Sequence, residues 1–156
     1  MREQGGNSES DEGWMHEALI LASTAAADGE VPVGAVIVRD NQIIGRGHNQ
    51  QIRTNDPTAH AEIIALRDAG AKAGNYRLPS AEMYVTIEPC NMCAGALIHA
   101  RIARLVFGAT EPRAGAVISS ARVLDNPALN HRVTVSAGIL ETECGDMLSA
   151  FFRSRR

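Results

Sequence analysis

The hexapeptide Glu88-Pro89-Cys90-Asn91-Met92-Cys93 constrains this chain more than any other stretch. Two thiols three residues apart follow a proline, between an apolar run and a helical one. Met83-Tyr84-Val85-Thr86-Ile87 reads as a short buried strand, β-branched and aromatic. Pro89 suits the first turn of a helix, where its missing N–H is not needed, and Ala94-Gly95-Ala96-Leu97-Ile98-His99-Ala100 carries that helix on. Positions i and i+3 share a helix face. Cys90 and Cys93 therefore point the same way, at the end of the helix dipole that favours a thiolate. Such a pair is half of a metal site, and on its own it also fits a redox motif.

The other half stands thirty residues upstream, in Asp56-Pro57-Thr58-Ala59-His60-Ala61-Glu62. A His, a Glu two residues later, and then Pro-Cys-x-x-Cys match the His-x-Glu…Pro-Cys-x-x-Cys signature of zinc deaminases. Each half follows a strand-like run and opens a helix. The redox reading wants a thioredoxin-like setting, which this order of elements does not supply.

Three ligands stand out: His60, Cys90 and Cys93. Zinc held by three side chains keeps a fourth position for water, whereas structural zinc is closed by a fourth side chain. An open site lowers the pKa of bound water to about 7. Two thiolates weaken that effect, so a nearby base is needed, and Glu62 fits as the proton shuttle. Residues two apart on a regular helix diverge by about 200°. His60 and Glu62 reach one zinc only if the helix has not yet begun at Ala59-His60, and that irregular start is predicted.

Composition bounds the rest. At 156 residues and 45% hydrophobic, the chain suits one domain with a real core. It contains no run of about 18 apolar residues that would span a membrane, and residues 1–12 lack the apolar core of a signal peptide. Three cysteines, two of them read as ligands, suit a reducing compartment, so a cytoplasmic protein is expected. The net charge is −3. All of it lies in residues 1–12, and the remainder is balanced, so the acidity does not argue against a nucleic-acid partner. Residues 1–11 read as a disordered acidic tail, and 12–156 as a single domain.

In chain order, a helix is expected over 12–28, with Trp14, Ala18, Leu21, Ala22 and Ala25 along one face. Strands at 33–38 and 42–47 flank an Asp40-Asn41 hairpin turn. A helix follows to about Lys72, with Asp56 as its N-cap. Then come a strand at 83–87, a helix at 89–101, a strand at 104–108, an irregular stretch at 109–130 that wraps the site, a short strand at 133–135 and a helix at 141–152. This order describes a three-layer α/β/α sandwich, with one mixed sheet of about five strands and helices on both faces. Cys144 falls on an apolar helix face and reads as a core thiol. His99 reads as packing or surface, His48 and His131 as loop residues near the site, His16 as solvated, and Glu88 as a helix cap.

With these elements placed, the chain resembles the bacterial tRNA-specific adenosine deaminases, the TadA family of the cytidine deaminase-like superfamily. The likeness rests on the two motifs above together with Val31-Pro32-Val33-Gly34-Ala35-Val36, Asn75-Tyr76-Arg77-Leu78, Val106-Phe107-Gly108-Ala109, Asn130-His131-Arg132-Val133 and Phe151-Phe152-Arg153-x-Arg155-Arg156. It covers about 14–156. It implies a homodimer, with one Zn²⁺ per subunit and no nucleotide cofactor, that converts adenosine to inosine at the wobble position of a tRNA anticodon stem-loop, chiefly of an arginine tRNA. His60, Cys90 and Cys93 would bind zinc, and Glu62 would shuttle protons. Asn49 and the backbone at Ala61 would hold the flipped base. Glu111, Phe152, Arg153 and Arg155 would meet the anticodon loop, whose splayed bases stack on aromatics and whose phosphates pair with arginines. Glu111, Arg113 and Ala150 stand where the family more often has Asp, Lys and a carboxylate.

Two other readings share these residues. A deaminase of a free nucleobase or nucleotide would use the same zinc core but has no need of the arginine-rich end. A structural zinc module would need a fourth ligand, for which Cys144 is the cysteine available.

Overall fold

The computed structural model describes residues 4–155, with side chains described from Asp11 onward. Asp40 and Asn41 both adopt positive φ, 54° and 62°. That is the twist a two-residue hairpin requires, and it joins β1 (Gly34–Arg39) to β2 (Gln42–His48) as an antiparallel pair. β3 (Glu82–Ile87) pairs antiparallel with the other edge of β1. β4 (Arg104–Ala109) runs parallel to β3, and β5 (Thr134–Ala137) parallel to β4. The sheet order is β2-β1-β3-β4-β5, a mixed five-stranded sheet as the sequence predicts. β1, β3 and β4 are buried along nearly their whole length, which is why they read as apolar runs without alternation.

Each face of the sheet carries its own core. On one, α3 (Ala61–Ala73) and α4 (Asn91–His99) bring Ala61, Ala65, Ala69 and Leu97 against Ile37, Met83, Val85 and Phe107. On the other, α1 (Gln4–Ala27) and α5 (Glu141–Ser154) bring Met15, Ala18 and Cys144 against Val36, Tyr84 and Val106. The buried stripe of α1 is Met15, Ala18, Leu19, Ala22 and Ala25, so three of the five expected residues lie on it, while Met15 and Leu19 turn inward and Trp14 and Leu21 are only partly covered. Ala-rich α3 lies close on β2 because Gly45 and Gly47 carry no side chain. A Cβ at Gly47 would press on the Ala61 carbonyl and stand 2.6 Å from the Ala65 nitrogen.

The N-terminal boundary differs from expectation. α1 begins at Gln4, within the stretch read as a tail, while residues 1–3 lie outside those described. Asp11 is 4% exposed. Its carboxylate accepts two hydrogen bonds from the Arg104 guanidinium, at 2.7 and 2.9 Å, and one from the Tyr84 hydroxyl at 2.8 Å. A charge taken out of water needs such partners. These stand far away in sequence, where local pattern does not see them. The sequence reading also missed a one-turn helix, α2 (Gln51–Thr54), on the way from β2 to α3.

Candidate active site

The functional side chains gather beyond the C-terminal end of β3, where chains of this kind open a crevice. α3 begins at Ala61, and His60 is its N-cap, in extended conformation at φ −73° and ψ 152°. This is the irregular start required by the divergence of His60 and Glu62. Asp56 does not cap α3. Its Oδ1 instead accepts hydrogen bonds from the Thr58 N–H and hydroxyl, both at 2.8 Å, closing the Asp56-Pro57 turn that delivers His60. Cys90 in turn is the extended N-cap of α4, and Cys93 lies in its first turn, so that helix starts two residues later than Pro89 suggests.

His60 Nδ1 lies 3.6 Å from Cys90 Sγ and 3.6 Å from Cys93 Sγ. Tetrahedral zinc, with Zn–S near 2.3 Å and Zn–N near 2.0–2.1 Å, sets an N···S separation of about 3.6 Å. The three donors therefore fit one zinc ion, and they form the His/Cys/Asp/Glu group among the described residues close enough to hold a metal. Cys144 is absent from this group; its sulfur packs against Gly108 on the other face of the sheet. A hydrogen bond with Cys93, reinforced by His60, draws the Cys90 thiol down to about 3 against the opposing effect of burial. The same bond and burial push Cys93 up, and the contact with Cys90 raises His60. A bound dication would favour the thiolate form of both cysteines.

Glu62, in the first turn of α3, is 3% exposed, and burial pushes its carboxyl up to about 7. A carboxyl near neutrality can both take and give a proton. It opens with His60 and Cys90 onto a cavity of about 270 Å³ whose walls include Val31, Asn49, Gln51 and Phe152. Asn49 is fixed from both ends of its amide: Nδ2 donates to the Val31 carbonyl at 3.0 Å, and Oδ1 accepts from the Ala61 N–H at 2.9 Å. Among the described residues the other Nδ2–H has no partner, while the Ala61 N–H is occupied. Glu111 lines the same cavity, with its carboxylate turned back onto the N–H groups of Arg113 and Ala114. Phe152 is half exposed at the rim. Arg153 and Arg155 are exposed, and the Arg155 guanidinium stacks 4.2 Å over the Phe151 ring. His48 and His131 do not line the cavity; His131 Nε2 bonds the Ile102 carbonyl at 2.8 Å. His16 is exposed, and His99 lines a separate apolar groove between α3 and α4.

Besides Asp11, two buried carboxylates escaped the sequence reading. Glu88, 2% exposed, caps no helix. Its Oε1 accepts from the Glu111 N–H and the Ser119 hydroxyl, and its Oε2 from the N–H groups of Val117, Ile118 and Ser119. Burial opposes its ionisation, but these bonds outweigh burial and hold the carboxyl below its ordinary range. Glu88 thereby ties the long β4–β5 excursion to the turn that carries Cys90. Glu30 does the same for α2, accepting from the N–H groups of Ile52 at 3.1 Å and Arg53 at 2.8 Å. The sequence cue for Glu88, a carboxylate directly after an apolar strand, does not say which loop it will hold.

Three side chains that fit one zinc ion, beside a carboxyl pushed up to about 7, are the arrangement of the zinc-dependent deaminases. Residues 8–109 match the family described as cytidine and deoxycytidylate deaminase zinc-binding region. The tRNA-specific adenosine deaminase of Haemophilus influenzae is 53% identical over 150 residues, 96% of this chain and 87% of that protein. The Bacillus subtilis protein of the same name is 44% identical, covering 94% of this chain and 91% of its own. A solved structure from work on A-to-I editing by tRNA:A34 deaminases superposes with a TM-score of 0.84 at 44% identity, covering 86% of this chain and 98% of that one. Guanine deaminase from Nitrosomonas europaea superposes at 0.78 with 27% identity, covering 90% and 83%. The chain belongs to the family of tRNA-specific adenosine deaminases.

Proposed function

We propose that this protein deaminates adenosine to inosine at the wobble position of a tRNA anticodon, as the names of its relatives imply for them. The observation that carries the reading is Glu62, buried and near neutrality beside His60, Cys90 and Cys93 at the floor of a cavity of nucleobase size. Zinc, held by those three side chains, supplies the Lewis acidity that makes a water nucleophilic at neutral pH. Glu62 takes the proton that the water loses as its oxygen bonds to C6 of the adenine. It passes that proton to the ring nitrogen, then takes the proton left on the new C6 hydroxyl and gives it to the amino group, so that the C6–N bond breaks, C6=O forms and ammonia leaves. Asn49, held by Val31 and Ala61, offers its remaining N–H to the base. Val31 and Val33 cover the ring and exclude water.

The base reaches this depth only from a strand free of pairing, which an anticodon loop provides. Phe152 at the rim, Glu111 on the excursion wall, and the exposed Arg153 and Arg155 are the surface we assign to the flanking nucleotides. We assign the enzyme to the cytoplasm, where its tRNA substrate lies. No described helix is long and apolar enough to cross a membrane. A homodimer is the assembly proposed. The groove along α3 and α4, lined by Leu66, Ala96 and Tyr76, with Tyr76 74% exposed, is the apolar face that a second copy would cover.

The test offers the zinc-loaded protein an anticodon stem-loop with a wobble adenosine and, in parallel, free adenosine, guanine and cytosine, and measures inosine and ammonia. Inosine in the stem-loop alone is expected. Turnover of a free base alone would favour the likeness to guanine deaminase and overturn the reading of the C-terminal arginines.

A further inference from the structure

Two of the three metal-holding side chains share one element. Cys90 and Cys93 open α4 directly behind β3, whereas His60 stands alone at the end of a stretch, 55–60, that belongs to no helix or strand. Where His60 lies relative to the thiols is therefore decided by what holds that stretch. On its helical side the His60 carbonyl accepts from the Ile64 N–H at 3.0 Å. On the other side the His60 N–H donates to the Thr58 carbonyl at 2.8 Å. Thr58 is held in turn by Asp56, whose Oδ1 accepts from its N–H and its hydroxyl, both at 2.8 Å. The other Asp56 oxygen faces the Arg67 guanidinium of α3 at 3.8 Å. Backbone bonds from the Asp56 N–H to the Gln51 carbonyl and from the Gln50 N–H to the Ala59 carbonyl tie the two ends of the turn to α2 and its cap. Between those ends, Asp56 is the one side chain among the described residues that bonds the backbone of 56–60.

We propose that Asp56 is a positioning residue for the metal: through Thr58 it holds His60 where Nδ1 meets the two sulfurs, and so sets how long the protein keeps its zinc. The inference rests on His60, Cys90 and Cys93 as the zinc ligands, and adds to them a residue that stands outside the cavity wall. The physical reason is pre-organisation. A ligand on a free loop gives up its conformational freedom each time it binds, and it swings away whenever its bond to the metal opens. A ligand on a clamped turn stays within reach and closes again. Groups behind the ligands are worth about 10–100-fold in metal affinity or activity. Asp56 works through the backbone and not on the imidazole itself, so its share falls at the lower end of that range.

The experiment measures zinc release and needs no substrate. Each zinc-loaded protein is mixed with a chromogenic chelator, in enough excess that the rate is that of dissociation. Asp56→Ala should release its zinc about tenfold faster than wild type. Asp56→Asn keeps the oxygen that closes the same turn and should release zinc at the wild-type rate. Asp68→Ala is the control for lost stability alone. Asp68 accepts from the Arg46 N–H at 2.9 Å and fastens α3 to β2 without touching the turn, so its loss should lower Tm and leave zinc release unchanged. If Asp56→Ala does not fold, Thr58→Val takes its place: it removes the hydroxyl bond, leaves the N–H bond, and should speed release about threefold. Wild-type release from Asp56→Ala, or from Thr58→Val in its stead, overturns the assignment. Release as fast from Asp56→Asn or Asp68→Ala as from Asp56→Ala overturns it equally. A wild-type protein that binds no zinc would overturn the ligand reading and this inference with it, whereas zinc bound in every variant and released at one rate would overturn the role of Asp56 alone.

Discussion

Glu88→Gln tests how the wall of the cavity is held. The carboxylate accepts five hydrogen bonds, all from the segment between Glu111 and Ser119. An amide keeps one oxygen. In its better orientation that oxygen replaces Oε2 and retains the N–H groups of Val117, Ile118 and Ser119. The NH₂ then faces the Ser119 hydroxyl, which can turn and accept, and the Glu111 N–H, which cannot. One bond to a charged group is lost, at about 1.5–3 kcal/mol, and a buried N–H is orphaned, at about 1–3 kcal/mol. The neutral amide is easier to desolvate and returns part of this, leaving a net loss of about 2–4 kcal/mol. Ten-fold per 1.4 kcal/mol makes the opened excursion about 30- to 700-fold more populated. Arg113 and Arg122 lie on it and are exposed, so trypsin reads the opening directly. The variant should keep its zinc, cleave at these arginines at least tenfold faster, and show a raised KM for the stem-loop. Wild-type cleavage and KM would refute the assignment of these five bonds as the anchor of the wall.

Other substitutions probe the scaffold. Asp11→Ala leaves the Arg104 guanidinium without the carboxylate that holds it at 2.7 and 2.9 Å. Breaking a buried pair costs about 3 kcal/mol, which for a chain of this size lowers Tm by about 6–12 °C; an unchanged Tm would return Asp11 to a solvated end. Gly47→Ala drives a methyl into the Ala61 carbonyl and Ala65 nitrogen and lifts the start of α3, so stability should fall by about 1–3 kcal/mol, seen as a lower Tm, and zinc affinity should fall with it. Thiol titration should find no reactive cysteine in the native zinc-loaded protein, Cys90 alone after chelation, and Cys93 and Cys144 only on unfolding, because both are buried and their thiols are pushed up. Release of Cys144 together with the zinc would mark it as a ligand.

What could be read ahead of the structure was local. Asp40-Asn41 specifies its turn from two residues. The strands at β1, β3 and β4 announce themselves as apolar runs, and the 200° between His60 and Glu62 forces the helix to begin after His60, as it does. The metal group needs only two short motifs in the right order. What was missed depends on partners far along the chain. Asp11 looks like part of a polar tail until Arg104, 93 residues on, stands beside it. Glu88 looks like a cap because its partners lie on a stretch with almost no regular structure, and α2 is one turn long and owes its place to Glu30. The stripe of α1 was missed in part because Trp14 and Met15 are both apolar and only packing decides which one turns inward.

The most direct test of the account is Glu62→Gln, assayed for bound zinc and for inosine in the anticodon stem-loop. His60, Cys90 and Cys93 are untouched, so one zinc per chain should remain. Removing the group that moves the protons should lower kcat by at least the 10²–10⁴-fold typical of a lost general acid–base. A variant that keeps its zinc and deaminates at the wild-type rate would contradict the role of Glu62 and, with it, the chemistry built on this site.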